Sequence, residues 1–225
     1  MIMSDEPDKR AAFSRRGIPF IISAPSGAGK TTLSRQLLDL VPDLRLSISY
    51  TTRAPRAGEV EGRDYHFISE DHFARLRAAD AFAEWAQVHD FCYGTARAPL
   101  DEAVAHGQDV LLDIDVQGAR QLKARYAEAV SIFILPPSWQ ELEGRLRRRG
   151  TEGAEAIARR LQHAREETGA LSTYDYWLVN DQVARAVALL QAIVAAERAR
   201  VSRLRNVQTA LAVLSPPPAP GRTVV

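Results

Sequence analysis

The residues Ala24 to Thr31, APSGAGKT, have the types and spacing of a phosphate cradle. The pattern is G-x-x-x-x-G-K-[ST], with Ala24 at its first position and Gly29, Lys30 and Thr31 at its last three. Gly27 and Gly29 let backbone N–H groups turn inward around phosphate oxygens. A helix that opens here adds partial positive charge. Lys30 can reach β and γ phosphates, the Thr31 hydroxyl can ligate Mg²⁺, and Ser26 can add a donor. The stretch Ser26, Gly27, Ala28, Gly29, Lys30, Thr31 and Thr32 is therefore assigned to a nucleoside triphosphate. A glycine-rich turn with an incidental lysine has the same letters, but an apolar run precedes this one and a helical pattern follows it.

A second group of residues suits another phosphate. Arg53 and Arg56 are split by a proline, with Ser49, Thr51 and Thr52 before them and Tyr65 after. Two guanidinium forks beside hydroxyls make an anion clamp. Taken alone, these residues fit two surface arginines equally well. Glu84, beside Trp85, reads by itself as a carboxylate on a surface strand. Asp113 and Asp115 alternate with Leu112, Ile114 and Val116 at the C-terminal end of an apolar strand, so they share a face where ligands of open α/β sheets sit. They could position hydrated Mg²⁺ or contact a nucleotide; a helix-capping or salt-bridged pair is the other reading.

The elements that must position these residues follow from hydrophobic periodicity. Short apolar runs at Gly17–Ser23, Asp109–Val116, Val130–Leu135 and Tyr176–Val179 predict buried strands. Between them, Thr31–Leu40, Trp139–Arg149, Ala154–Glu167 and Gln182–Leu204 predict helices, with Ser138 as an N-cap. Strands alternating with helices imply an α/β fold with a parallel sheet covered on both faces. The stretch Ser47–Ala98, with short strands at Tyr65–Ile68 and Phe82–Val88, breaks that pattern and reads as an inserted α+β subdomain. Charged Ser138 to about Thr168, with Gly150 and Gly153 between its helices, reads as a mobile lid. The expected division is a core of 17–48, 99–137 and 169–207, a subdomain of 49–98 and a lid of 138–168. A disordered extension of 1–16 and a flexible, proline-rich tail of 208–225 flank it.

Composition bounds the rest. The 225 residues suffice for one sizeable core. A net charge of +1 predicts no nucleic-acid or membrane partner and leaves monomer and homo-oligomer both open. The single cysteine, Cys92, allows no internal disulfide. No run approaches the roughly 20 apolar residues of a membrane span, and the N-terminus lacks the apolar stretch of a signal peptide, so the expected location is the cytoplasm. His66, His72, His89, His106 and His163 are scattered and none is assigned to catalysis.

The chain resembles the guanylate kinase family from about Pro19 to Asp181. The residues that carry the resemblance are SISYTTRAPRAGEVEGRDYHF (Ser47–Phe67), FAEWAQVHDFCYGT (Phe82–Thr95) and LDIDVQG (Leu112–Gly118), in order behind the phosphate loop. The resemblance implies a P-loop three-layer fold with a central parallel sheet of about five strands, an inserted GMP-binding subdomain and a helical lid. It implies transfer of the γ-phosphoryl group of ATP to GMP or dGMP, with Mg²⁺. It also implies that Ser49, Arg53, Arg56, Tyr65 and Tyr93 hold the GMP phosphate, and that Glu84 and Thr95 read guanine. The family more often has serine at the Thr95 position; the hydroxyl is kept. Asp113 and Asp115 are implied to organise the GMP side and the metal shell, Arg145, Arg149 and Arg160 to close over the ATP phosphates, and Asn180 to lie near adenine. Lys30, Arg53, Arg149 and Arg160 are the expected catalytic set; Arg147, Arg148 and Arg159 match less well and read as solvated. A guanylate-kinase-like binding module without catalysis would show a degraded phosphate loop. A related sugar-phosphate kinase would not need the Arg53, Arg56, Tyr65 and Glu84 set.

Overall fold

Short runs of β-branched, leucine and aromatic residues form the strands, and the polar, periodic stretches between them form the helices. The computed structural model describes residues 13–88, 90–148 and 154–214. In chain order the elements are β1 (Pro19–Ser23), α1 (Lys30–Leu40), β2 (Leu44–Leu46), β3 (Tyr50–Thr51), β4 (His66–Phe67), α2 (Glu70–Ala78), β5 (Phe82–Val88), β6 (Phe91–Ala96) and α3 (Arg97–Ala105). They continue as β7 (Asp109–Asp113), α4 (Val116–Arg125), β8 (Val130–Leu135), α5 (Trp139–Arg148), α6 (Ala154–Thr168), β9 (Tyr176–Val179), α7 (Val183–Arg198) and α8 (Val207–Leu214).

Five strands form one sheet in the order β2-β7-β1-β8-β9, all pairs parallel. Central β1 is wholly buried. Strand alternation splits its side chains between two cores. Phe20 and Ile22 pack with Leu33 and Leu37 of α1 and Val187 and Leu190 of α7; Ile21 packs with Leu100 and Val104 of α3 and Leu122 of α4. Each such buried side chain contributes roughly 1.5–3 kcal/mol. The result is three layers, helix, sheet and helix, as the family resemblance implies. The C-terminal ends of β1 and β7 point at the phosphate loop and at Asp113, as the ligand rule for open sheets requires.

A second sheet, β4-β3-β6-β5, lies in the inserted segment. β5 and β6 are antiparallel, and β5 is an edge strand. Phe73 of α2 stacks on Phe82 at 4.6 Å between ring centroids. On the other side Gln121 of α4 accepts from the Trp85 N–H at 3.2 Å and donates to the Trp85 carbonyl at 2.7 Å. Those edge groups would otherwise lack partners. Gln121 thus fastens the subdomain sheet to the core.

Several expected boundaries move. The strand predicted to reach Val116 ends at Asp113. The Ile114 carbonyl is taken by the Ser23 hydroxyl at 2.9 Å and by Lys30 at 3.2 Å. Asp115 then caps α4, its Oδ1 accepting from the Gly118 N–H at 2.8 Å. Asp113 and Asp115 therefore do not share a strand face. The helix predicted to reach Leu204 stops at Arg198. Of the supposed disordered extension 1–16, residues 1–12 lie outside the described residues, while Arg15 bridges to Leu204 and ion-pairs with Asp109 at 2.6 Å. Of the supposed flexible tail, Val207–Leu214 is helical, with Ala210 buried, and residues 215–225 lie outside the description. The Ser138 cap is present, accepting from the Glu141 N–H at 3.0 Å. Gly150 and Gly153 of the lid fall outside the described residues.

Candidate active site

The phosphate loop joins β1 to α1. Gly27 and Gly29 take φ values of 94° and 95°, a region that strains any residue with a Cβ. Gly29 is also the N-cap of α1, so the helix N-terminus faces the loop. Ser26, Gly27, Gly29, Lys30, Thr31 and Thr32 line a cavity of about 260 Å³ together with Asp115 and Glu167. Ala28 is different: it is fully buried, and its N–H closes a turn onto the Pro25 carbonyl at 3.0 Å. It shapes the cradle from behind.

Lys30 makes an ion pair with Asp113 at 2.5 Å. Burial alone would lower the Lys30 pKa, but the Asp113 carboxylate outweighs it and the ammonium is held above its usual value. Asn180 is buried beneath the loop, its amide donating to the Ala28 carbonyl at 2.8 Å. A Cβ on Gly29 would collide with that amide. Asn180 supports the loop through that amide hydrogen bond.

Helices α5 and α6 rest on the loop. A Cβ on Gly27 would sit 3.0 Å from Leu146 and 3.1 Å from Leu142, both on α5. Arg145 donates to the Ala28 carbonyl at 3.4 Å and the Asn180 carbonyl at 3.2 Å. Arg160 donates to the Ser26 hydroxyl at 2.5 Å. Arg147 and Arg148 pair with Glu143 and Glu141 on the exposed face of α5. Such exposed pairs add little stability. Arg149 lies outside the described residues.

The second cluster sits on the subdomain sheet. Antiparallel register sets Glu84 opposite Thr95 and Ala86 opposite Tyr93, so Glu84, Thr95 and Tyr93 share one face. Glu84 and Thr95 are both buried, and the Thr95 hydroxyl donates to Glu84 Oε1 at 2.6 Å. Burial pushes the Glu84 carboxyl up to about 7; the Asp115 charge adds to this, while the Thr95 hydrogen bond and Lys30 oppose it. The other carboxylate oxygen lies against Gly118, where any Cβ would collide with it. Glu84 is therefore clamped between β6 and the first turn of α4.

Arg53 is buried and forked onto Glu59, at 2.9 Å for each nitrogen–oxygen pair. Its guanidinium lies 5.4 Å from the centroid of the Tyr65 ring. Tyr65 meets Tyr93 edge-on at 6.0 Å, and burial raises its phenol pKa, with Asp113 adding to the effect. Glu59 also accepts from the Arg56 N–H at 2.7 Å. The Arg56 side chain is exposed, and Ser49 is half-buried on the run into β3. The structure thus gathers Arg53, Tyr65 and Tyr93 tightly, with Ser49 and Arg56 at the margin.

Two acids were not singled out from the sequence. Glu59 orders the arginine loop; its place in the quoted run, three residues after Arg56, was the available signal. Glu167, at the end of α6, reaches the phosphate-loop cavity, and its charged helical neighbours gave no hint of that.

Comparison with known proteins points to one family. The family model described as guanylate kinase matches residues 16–197. The chain is 57% identical over 192 residues to the guanylate kinase of Syntrophotalea carbinolica, covering 85% of this chain and 91% of that one. It is 53% identical over 190 residues to the guanylate kinase of Geobacter sulfurreducens, covering 84% and 94%. The crystal structure of guanylate kinase from Anaplasma phagocytophilum superposes with a TM-score of 0.74 at 33% identity, covering 89% of this chain and 96% of that one.

Proposed function

The chain belongs to the guanylate kinase family, and from that premise we propose how its residues divide the transfer of the γ-phosphoryl group of ATP to GMP. The activity is that of an ATP:GMP phosphotransferase, giving ADP and GDP. The observation that carries the division of labour is the buried Glu84–Thr95 pair beside a phosphate loop whose lysine acts electrostatically on Glu84.

Guanine presents N1–H and its exocyclic amine side by side, so the Glu84 carboxylate accepts from both. The Thr95 hydroxyl can turn to donate to O6. Adenine would set an acceptor against Glu84, and an unpaired buried polar group can reject a substrate by roughly 10⁴-fold. Arg53, Tyr65 and Tyr93 take the GMP phosphate, with Ser49 and Arg56 closing on it. Glu59 holds Arg53 ready. dGMP keeps the same base and phosphate contacts.

On the donor side, ATP phosphates enter the loop and compete with Asp113 for Lys30. Arg145 and Arg160, already against the loop, add charge as the lid tightens, and Arg149 completes that set by resemblance. Asn180 acts through the loop backbone. The acceptor is its own nucleophile. A nucleoside monophosphate has a second pKa near 6 and is largely dianionic at neutral pH, so no general base is required. Catalysis is then charge screening and alignment.

Mg²⁺ belongs to this reading. Thr31 and Asp115 line one cavity, and a hydroxyl with a carboxylate is an oxygen donor set that suits a hard cation. When bound, the ion neutralises charge on the phosphate oxygens. The reading places the enzyme in the cytoplasm, where both nucleotides are available; no helix among the described residues is long and apolar enough to cross a membrane. The binding-module and sugar-phosphate alternatives are not favoured, since the loop is intact and the relatives are guanylate kinases.

A nucleotide-acceptor screen tests the division. With ATP and Mg²⁺, ADP should form with GMP or dGMP, while AMP, UMP and CMP stay near background. Equal turnover with all five would remove Glu84 and Thr95 from base recognition.

A further inference from the structure

The end of the lid carries an acid that the reaction has not yet used. Glu167 closes α6 and lines the phosphate-loop cavity with Lys30, Thr31, Thr32 and Asp115. Its Oε2 is shut off from solvent and has no hydrogen-bond partner among the described residues. A buried acceptor in that condition is waiting for a donor.

Burial raises the Glu167 pKa, and the Asp115 charge adds to this; the Ser26 N–H and the Lys30 charge oppose it. Lys30, the nearest cation on the loop, is already paired with Asp113 at 2.5 Å. Asp115 spends Oδ1 on the Gly118 N–H at 2.8 Å and receives the Gln117 amide on Oδ2 at 3.2 Å. Two carboxylates thus share a small cavity that must admit a triphosphate. In a low-dielectric pocket they would repel the nucleotide unless a cation with hydrogen-bond donors stood between them. Mg²⁺ supplies both properties, because it gives up its waters reluctantly and those waters donate to carboxylates.

We propose that Glu167 is a positioning residue for the metal: together with Asp115 it accepts hydrogen bonds from waters on the Mg²⁺ held at Thr31. This rests on the reading of Thr31 as the metal's protein ligand. It gives the lid a second task. Arg160 of the same helix touches Ser26, so one helix brings a cation to the phosphates and an acid to the metal's water shell. A lid that docks with metal-bound nucleotide is stabilised; one that docks on metal-free nucleotide leaves Glu167 facing phosphate.

The test is binding rather than turnover. Mn²⁺ replaces Mg²⁺, and its affinity for the protein complexed with an ATP analogue of non-hydrolysable β,γ bridge is read by electron paramagnetic resonance. Affinity of the metal-free analogue is read by calorimetry. Outer-shell partners are worth roughly 10–100-fold in metal affinity. Glu167→Gln should weaken Mn²⁺ about tenfold and leave the metal-free analogue bound as well as before, or slightly better. Unchanged Mn²⁺ affinity overturns the proposal. So does equal weakening with and without metal, or loss of all binding, because each marks Glu167 as a loop support only. A gain in metal-free affinity with no Mn²⁺ loss overturns it too, making Glu167 a stand-in for phosphate. Thr31→Val serves as the second arm. If it leaves Mn²⁺ affinity intact, the Thr31 reading fails; if it weakens Mn²⁺ while Glu167→Gln does not, only the Glu167 proposal fails.

Discussion

Strand β7 carries an aspartate at each end, and the two are treated oppositely. Asp109, at the start, is fully buried and accepts four hydrogen bonds: from Arg15 at 2.6 and 2.7 Å, Arg198 at 2.7 Å and the Ile18 N–H at 2.9 Å. Asp113, at the end, stays partly exposed and shares a single lysine with the phosphate loop. The acids around Asp113 are similarly underserved. Among the described residues, Glu84 leans on Thr95 alone for its hydrogen bonds and has a raised pKa, and Glu167 has an orphaned oxygen. At the back of the sheet the charges are satisfied and fasten the chain ends. At the front they are left wanting, and on the proposed reading nucleotide and metal supply what is missing.

Three substitutions can break or sharpen that contrast. The largest effect belongs to Lys30→Ala. Removing a charge from the transferring phosphates should lower kcat about 10³-fold, with the thermal midpoint little changed. Near-normal turnover would take the loop out of the chemistry. Asp109→Ala should do the reverse. It leaves Arg15 and Arg198 without their shared carboxylate and should cost about 3 kcal/mol in urea unfolding. Its kcat/KM should stay within about twofold, measured at a temperature where the variant is folded. Loss of activity without loss of stability would mean that the two ends of β7 are not separate in function. The smallest change is Gly118→Ala, a single methyl pressed against the Glu84 carboxylate. It should raise KM for GMP about tenfold and leave KM for ATP nearly unchanged. An equal rise in both would point to damage in α4 rather than to a displaced base reader.

The parts of this site that depend on neighbours in sequence were legible in the sequence. The phosphate loop is contiguous, so strand, glycines, lysine and helix appear together between Pro19 and Leu40. The five-stranded sheet followed from apolar runs, apart from the three-residue β2, which is too short to give a period. Glu84 and Thr95 are 11 residues apart and join only across an antiparallel pair. Residue types did not reveal that, and the family resemblance assigned the two to one task without showing how they meet. Asp115 was placed on a strand because period-two alternation continued through Val116, but side chains from Ser23 and Lys30 take the Ile114 carbonyl and turn the chain into α4. The order at Arg15 and the reach of Glu167 are tertiary. A polar N-terminus and a charged helix face look solvated until the partner, Asp109 or the loop cavity, is in place.

Glu84 is the clearest case of an acid whose ionisation costs the folded protein something until its ligand arrives. Folding lifts its pKa from 4.5 to about 7, so the folded state holds the proton more tightly than the unfolded chain. Stability must therefore fall as pH rises from the unfolded value toward the folded one. Glu84→Gln should then be more stable than the parent above pH 7, by up to about 3 kcal/mol, while losing preference for guanine. GMP reverses the balance, because its two N–H donors require the carboxylate. The most direct measurement is calorimetry of GMP binding at pH 6 without ATP, in two buffers of different ionisation enthalpy. Titration of the GMP phosphate is common to parent and Glu84→Gln and cancels in their difference. The parent should release about one proton more than the variant. Equal proton release from the two proteins would contradict the claim that guanine ionises Glu84.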